Sequence, residues 1–274
     1  MNAPGDRADA ASADAIHAQV RGRYAAIAVA PSSCCGPGSA CGGSPGGPCC
    51  TPDGAAASLG YPPTDIAEVP PGSNLGLGCG NPTALLGLRE GESVLDLGSG
   101  GGVDCFLAAR RVGPTGHVIG VDMTPEMLER SRKNAAMGGW ANVEFRLGEI
   151  EHLPVADASV DVVLSNCVVN LVPDQAQVYR EALRVLRPGG RLAVADMLAT
   201  RPIPDAARRD PGRWAGCSSG ARSRDEVEQT LRDAGFQEIV VTLHAGTKDD
   251  SQLVMTDDLG VVPGTVTAIR PNRS

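Results

Sequence analysis

The sequence lacks the features that would direct it to a membrane or to nucleic acid. Among its 274 residues, no apolar run approaches the roughly 18 residues that a membrane-spanning helix needs. Basic residues are grouped in nothing longer than a pair such as Arg110-Arg111, and the net charge of −8 gives no electrostatic footprint for nucleic acid. We therefore expect no membrane and no nucleic-acid partner, and small or cationic ligands fit this charge better.

The sequence also lacks a convincing secretion signal. The short apolar part of "RGRYAAIAVA" follows a stretch that carries Asp6, Asp9 and Asp14, which is unlike a signal peptide. We therefore expect a cytoplasmic protein. Its nine cysteines are then expected to be reduced thiols that bind or react, and not a disulfide framework.

From Glu92 the hydrophobic pattern alternates between strands and helices. The strands are "SVLDL", "HVIGVD", "NVEFRL", "DVVLSN" and "RLAVADM", and the helices between them are "DCFLAARRV", "PEMLERSRKNAAM" and "DQAQVYREALRVL". This alternation indicates right-handed βαβ units and a mostly parallel, doubly wound sheet, as in an α/β Rossmann-like fold. A helix "SRDEVEQTLRDAG" and a strand "QEIVVTLHA" follow. Residues 246–274 show no clear period, and we expect at most an edge strand or a tail there.

The N-terminal part has a different composition. Apolar residues from Ile16 to Ile27 have helical spacing, and the following stretch "PSSCCGPGSACGGSPGGPCCTPDGAAAS" is rich in glycine and proline and carries five cysteines. With so few large apolar residues, this stretch is expected to be a flexible tether. We divide the chain into the N-terminal helix and tether (1–74), a core (75–200), and a C-terminal loop, helix, strand and tail (201–274).

A glycine-rich turn, "LGSGGG", connects the first strand of the core to its first helix. Gly98, Ser99 and Gly100 lie where a ligand would approach the backbone closely. A dinucleotide fingerprint would need a glycine at position 103, where this chain has Val103. A pyrophosphate ligand therefore fits this turn less well than a single nucleoside.

Two carboxylates define what that nucleoside carries. Asp96 is available for an amino-acid ammonium group, and Asp122, at the end of the second strand, can accept both hydroxyls of a ribose. These two carboxylates together call for a ligand in which a nucleoside is joined to an amino acid, and S-adenosylmethionine is such a ligand. The motifs "LDLGSGGG", "GVDMT", "GEIEHLP" and "LRPGGRL" resemble the class I methyltransferases. That resemblance implies that Glu149 and Ile150 lie near the adenine and that Met123 packs on its ring.

Three single cysteines fall on turns or strand ends of the core. Asn166 and Cys167 end the strand in "SNC" and should face the methyl donor, because ligands of such sheets sit outside the carboxyl ends of the strands. Cys79 in "GLGCGNP" and Cys217 in "WAGCSSG" lie in loops that could cover the same ends. Three such thiols are a poor zinc pattern and suit a soft trigonal-pyramidal centre, for which arsenite is the candidate. Packing as a small hydrophobe is the alternative for Cys167.

The combined motifs "GLGCGNP", "LDLGSGGGVD", "VIGVDMT", "SNCVVNL" and "WAGCSSGA" resemble the arsenite S-adenosylmethionine methyltransferases. The resemblance implies that Cys79, Cys167 and Cys217 hold As(III), and that Cys34 or Cys35 exchanges electrons with the loop thiol. It implies methyl transfer to arsenite or its glutathione conjugate, with glutathione or thioredoxin as the reductant. We expect a monomer.

Other functions remain open at this stage. A class I methyltransferase with a small organic acceptor would need a general base, and the "SNC" position offers no His, Tyr or Asp. A non-enzymatic thiol protein could sequester arsenic or another soft metal through its N-terminal cysteines, although the intact "LDLGSGGG" and "GVDMT" motifs speak against this. The N-terminal cysteines could deliver arsenic, act as reductant, or bind whichever soft metal is present.

Overall fold

A computed structural model describes residues 10–30, 52–244 and 259–272. The predicted redox cysteines Cys34 and Cys35 lie outside the described residues, as does most of the predicted tether. Among the described residues, no helix is both long and apolar enough to span a membrane.

The centre of the fold is one sheet with the strand order β3-β2-β1-β4-β5-β8-β7. Its strands are β1 (Ser93–Leu97), β2 (His117–Asp122), β3 (Val143–Leu147), β4 (Val160–Asn166), β5 (Leu186–Ala199), β6 (Arg222–Ser223), β7 (Gln237–Leu243) and β8 (Val261–Ile269). β1 to β5 pair in parallel, β8 runs antiparallel to both β5 and β7, and the short β6 pairs with the end of β5. The predicted mostly parallel Rossmann-like sheet is confirmed.

Helices connect these strands or precede them. They are α1 (Ala10–Val29), α2 (Pro52–Ser58), α3 (Pro63–Ala67), α4 (Val103–Val112), α5 (Pro125–Gly138), α6 (Gln175–Val185), α7 (Asp205–Arg208), α8 (Pro211–Trp214) and α9 (Arg224–Ala234). Single turns of 3₁₀ helix cover Pro82–Leu85 and Val169–Leu171.

Local chemistry explains where these helices begin and end. The Asp174 side chain accepts the backbone N–H of Gln177 and caps α6. Ser223 and Glu226 form a capping box at the start of α9, which ends at Gly235 in a left-handed conformation. The parallel strands are nearly continuous apolar runs because helices cover both faces of the sheet, and two buried clusters result.

Two expectations about irregular regions were wrong. β8 is an interior strand and not an edge strand or tail, since its backbone pairs with β5 on one side and β7 on the other. Buried and partly exposed residues alternate along β8, so one face of the strand packs against the core. The end of the expected tether, Pro52–Ser58, is helical, with Asp53 in its first turn and Ala56 buried.

Candidate functional site

The carboxyl ends of β1, β2 and β4 surround a cavity of about 650 Å³, here called the glycine-loop cavity. Its lining is mostly apolar with a few polar groups, as in many sites for small organic ligands. The predicted residues that line it are Gly98, Gly100, Asp122, Met123, Ile150, Asn166 and Cys167. The sheet topology thus gathers side chains that are far apart in the sequence.

Asp122 is held in place at the rim by backbone N–H groups. One carboxylate oxygen accepts the N–H of Gly100 at 2.9 Å, and the other accepts that of Thr124 at 2.8 Å. Burial raises the pKa of Asp122, and these backbone hydrogen bonds oppose that rise. Because a carboxylate oxygen has a second lone pair, each oxygen can also accept a ribose hydroxyl.

The glycine-rich turn forms a cradle that larger residues would close. Gly98 has a φ of 70°, and a Cβ there would lie 2.4 Å from the Val168 side chain. Gly100 also has a positive φ, of 50°, with open space where a Cβ would point. The hydroxyl of Ser99 is buried without a hydrogen-bond partner among the described residues. The space beside Gly100 and the unpartnered hydroxyl of Ser99 both suit a bound ligand.

An adjoining cavity of about 540 Å³ contains Asp96 and Asp104. Burial and the charge of Asp104 raise the pKa of Asp96 well above its usual value. Asp96 accepts a hydrogen bond from the Cys105 thiol at 3.2 Å, and Asp104 accepts one from the Tyr61 hydroxyl at 2.7 Å. Arg111 acts on Asp104 only through its charge, and among the described residues no basic side chain forms an ion pair with either carboxyl group, so this cavity suits a positively charged group such as an ammonium.

Asn166 lines both cavities and fixes the loop that carries Cys79. Its side-chain oxygen accepts the backbone N–H of Cys79 at 2.9 Å. Its amide nitrogen donates to the Tyr61 hydroxyl at 2.8 Å, to the carbonyl of Gly80 at 2.9 Å and to Asp104 at 3.1 Å. The amide thus uses one lone pair of its oxygen and both of its N–H bonds, which three acceptors share, and this orients the loop and the end of β4 together.

Helix α1 closes the cofactor side of the site. Val20 and Tyr24 line the glycine-loop cavity. His17 lies 2.9 Å from Glu151, and Arg21 lies 3.2 Å from Glu149. Glu149 therefore lies at the rim, in a groove beside the cavity.

The three predicted thiols lie together. Cys79 and Cys167 form a disulfide, with a Cα–Cα distance of 5.4 Å. The buried thiol of Cys217 donates to the backbone carbonyl of Cys167 at 3.3 Å. All three belong to one buried cluster with α1 residues and Trp214. Three distant parts of the chain thus bring their cysteines to one point. The expectation that all nine cysteines are reduced is wrong, because Cys79 and Cys167 are joined.

The thiols line a third cavity of about 1220 Å³, here called the thiol cavity. Cys167, Tyr24 and Leu77 line both this cavity and the glycine-loop cavity, so the two spaces adjoin at these side chains. Tyr24 and Cys217 lie close enough that each side chain affects the pKa of the other. Burial and the charge of Asp196 raise the pKa of Cys217 well above its usual value, so this thiol is neutral in the ligand-free protein.

Asp196 is the fourth group at the thiols. One of its oxygens and the sulfur atoms of Cys79 and Cys167 all lie within 4.8 Å of one another. Its carboxylate accepts the backbone N–H of Asn170 at 3.1 Å, the side-chain amide of Asn170 at 2.9 Å and the N–H of Met197 at 2.8 Å. Burial raises its pKa to about 7, against the effect of these hydrogen bonds.

Sequence reasoning found the thiols and the cofactor-facing residues but missed four others: Tyr24, Tyr61, Asp104 and Asp196. Asp196 had a visible signal, since it is the one charged residue of "LAVADMLA". The tyrosines had none, because they reach the site through contacts distant in sequence. Trp214 is buried away from both cavities, and its indole N–H donates to the carbonyl of Arg208, so it anchors the loop.

Comparisons with known proteins give a consistent result. Residues 88–235 match the methyltransferase domain family. An arsenite methyltransferase of Halobacterium salinarum is 49% identical over 264 residues, which cover 93% of this chain and 66% of that protein. The arsenite methyltransferase of Homo sapiens is 40% identical over 152 residues, which cover 52% of this chain and 40% of that protein. This chain thus spans less than two thirds of the length of these relatives.

A crystal structure of an arsenic(III) S-adenosylmethionine methyltransferase from Chlamydomonas reinhardtii superimposes with a TM-score of 0.57. The sequences are 34% identical, and the match covers 80% of this chain and 73% of the other.

Proposed function

We propose that this chain, which belongs to the arsenite S-adenosylmethionine methyltransferase family, transfers methyl groups from S-adenosylmethionine to trivalent arsenic held by thiolates. The observation that carries the proposal is the convergence of Cys79, Cys167 and Cys217 at a cavity that adjoins the glycine-loop cavity. Three sulfurs are the ligand set that a soft, trigonal-pyramidal As(III) prefers. Arsenic bound there would lie next to a methyl donor in the glycine-loop cavity.

The residues of the glycine-loop cavity fit S-adenosylmethionine, which would supply an electrophilic methyl group on a sulfonium. Asp122 would accept the ribose hydroxyls, and Asp96 would face the ammonium group of the methionine part. Met123 and Ile150 would pack on the adenine. Glu149 lies at the rim, so its contact with the adenine would be at the edge of the ring.

Cys79, Cys167 and Cys217 would hold arsenic through three As–S bonds. Their thiol protons would leave with the hydroxyls of arsenite as water. As(III) carries its own lone pair, so no general base is needed for the attack. The task of the protein is to exclude water and to align that lone pair with the methyl group at roughly 3 to 3.5 Å. Tyr24 and Leu77, which line both cavities, would close the site to solvent.

The Cys79–Cys167 disulfide must be reduced before three sulfurs can bind arsenic. Methyl transfer leaves arsenic formally as As(V), and its return to As(III) takes two electrons. A dithiol that becomes a disulfide supplies two electrons, and glutathione or thioredoxin would regenerate it. Cys34 and Cys35 remain the candidates for exchange with the loop thiol. The proximity of Cys79 and Cys167 supports these two as an additional dithiol of the cycle.

The alternatives make different demands on the site. An organic acceptor would need a base, and although "SNC" has none, Tyr24 and Asp196 lie beside the thiols, so the missing base no longer excludes this function. The reason to favour arsenic is instead the set of three converging thiols, which an organic acceptor does not need. A sequestering protein would not need the glycine-loop cavity.

The test is arsenic speciation after the reduced protein is incubated with arsenite, S-adenosylmethionine, glutathione and a thioredoxin system. We expect methylated arsenic from the wild type and little from Cys167→Ser. Cys41→Ser, which removes one thiol with no role in the proposal, is the matched control and should retain activity. Arsenite that is bound but not methylated would indicate sequestration. Absence of both binding and methylation would return the organic acceptor to first place.

A further inference from the structure

Asp196 is a buried carboxyl group with no cationic partner in the part of the chain that the structure describes. Its side chain is 4% exposed. Among residues 10–30, 52–244 and 259–272, no lysine, arginine or histidine forms an ion pair with it. Burying an uncompensated carboxylate costs free energy, and such groups are concentrated at functional sites. The groups that lie against the Asp196 carboxylate are the thiols of Cys79 and Cys167.

The hydrogen bonds to Asp196 favour its ionised form and oppose the effect of burial. Every hydrogen bond to the two oxygens comes from an N–H group, namely the backbone and side chain of Asn170 and the backbone of Met197. A protonated carboxyl group would need an acceptor for its own proton, and none of these groups is one. The amide of Asn170 is itself fixed, because Gln175 donates to its oxygen at 3.2 Å.

The proposed reaction creates a positive charge beside this anion. As(III) bound to three thiolates is neutral. When its lone pair forms the As–C bond, the C–S bond of the sulfonium breaks and that sulfur keeps the electron pair as a neutral thioether. Arsenic then carries the positive charge that the sulfonium lost. The step balances without a proton or a reductant, which is needed only afterwards.

We propose that Asp196 is an electrostatic residue of methyl transfer, placed behind the thiols to stabilise the cationic arsenic that forms on their sulfurs. This inference rests on the proposed function. A fixed carboxylate acts strongly here because the site is buried and the charge needs no reorganisation as it develops. The Cys79 and Cys167 sulfurs lie within 4.8 Å of a carboxylate oxygen, so arsenic bonded to them forms close to the negative charge.

The test compares Asp196→Asn with the wild type in single-turnover methylation of arsenite by the reduced protein. Loss of a unit charge at about 4.8 Å, at an effective dielectric constant of about 20 to 40, corresponds to a rate about 20- to 350-fold lower. Arsenite affinity, measured by equilibrium dialysis without S-adenosylmethionine, should change less than about threefold, because the bound thiolate complex is neutral. Asp161→Asn, at the opposite end of β4, is the matched control and should keep the wild-type rate.

A rate decrease with retained arsenite affinity supports the role. An unchanged rate overturns it, and so does a rate decrease that the loss of arsenite binding accounts for, since Asp196 would then act only through the thiols. If Asp196→Asn does not fold, Asp196→Ser, a smaller neutral acceptor, gives the same comparison. If the wild type binds arsenite but produces no methylated arsenic, the proposed function fails, and this inference falls with it.

Discussion

Reduction of the Cys79–Cys167 disulfide should destabilise the protein, and arsenite should reverse that effect. The two cysteines are 88 residues apart in the sequence. In the chain-entropy account, a cross-link that closes a loop of this length stabilises the folded state by at most about 4 to 5 kcal/mol. For a chain of this size, each kcal/mol corresponds to a Tm shift of roughly 2 to 4 °C. We expect reduction to lower the Tm by up to about 20 °C.

Arsenite should recover much of this loss because it links the same sulfurs only in the folded state. A ligand at 100 times its Kd adds about 2.7 kcal/mol to the free energy of unfolding. The expected order of Tm is therefore oxidised protein highest, arsenite-bound reduced protein next, and reduced protein lowest.

The assay is differential scanning calorimetry of the three states, with a thiol count that verifies opening of the disulfide. Cys167→Ser removes both the cross-link and one arsenic ligand, so its Tm should respond weakly to reductant and to arsenite. If the wild-type Tm stays constant while Cys79 and Cys167 become free, the reasoning about the cross-link is refuted. If reduction lowers the Tm but arsenite does not raise it, the assignment of these cysteines as arsenic ligands is refuted.

Three further perturbations test other parts of the structure. Asp122→Ala should weaken S-adenosylmethionine binding about 10- to 100-fold by calorimetry, as expected for hydrogen bonds to a charged group, with unchanged arsenite affinity. Glu151 raises the pKa of His17 in the folded protein. This pair therefore stabilises the fold fully below the unfolded pKa of 6.5, and the stabilisation is lost as pH rises through the higher folded pKa. In urea unfolding, His17→Gln should not show this decline in stability with pH. Gly22→Ala meets open space in α1 and should stabilise the protein by about 0.5 to 1 kcal/mol in the same assay, whereas a lower stability would mean that α1 needs this glycine.

The sheet could be predicted from the sequence because each strand and helix of the core carries its own local pattern. β8 could not, since Pro263 and Gly264 interrupt its apolar pattern and its pairing partners are supplied by β5 and β7. Strand pairing of this kind is a long-range property. Local periodicity indicates that a segment can be buried. It does not indicate which strands lie on either side of that segment.

The candidate site was predictable where residue type alone limits the chemistry. Three cysteines at strand ends point to a soft centre whatever their exact positions. Tyr24 was not predictable, since helical spacing in α1 shows which face is apolar and says nothing about the cavity against which that face packs. The network around Asn166 was equally hidden, because its partners Tyr61 and Asp104 are 105 and 62 residues away.

Backbone conformation sets two of the three converging thiols apart from the thiol of Cys105. Cys167 and Cys217 have φ values of 59° and 65°, in the left-handed region that disfavours side chains by roughly 1 to 2 kcal/mol. Each is held there by a backbone hydrogen bond, from Cys167 to Ala195 and from Cys217 to Trp214. Glycine would relieve the strain, so cysteine at both positions supports a role for the sulfur atoms, together with their place at the thiol cavity. Cys105, buried in the regular helix α4, carries no such strain.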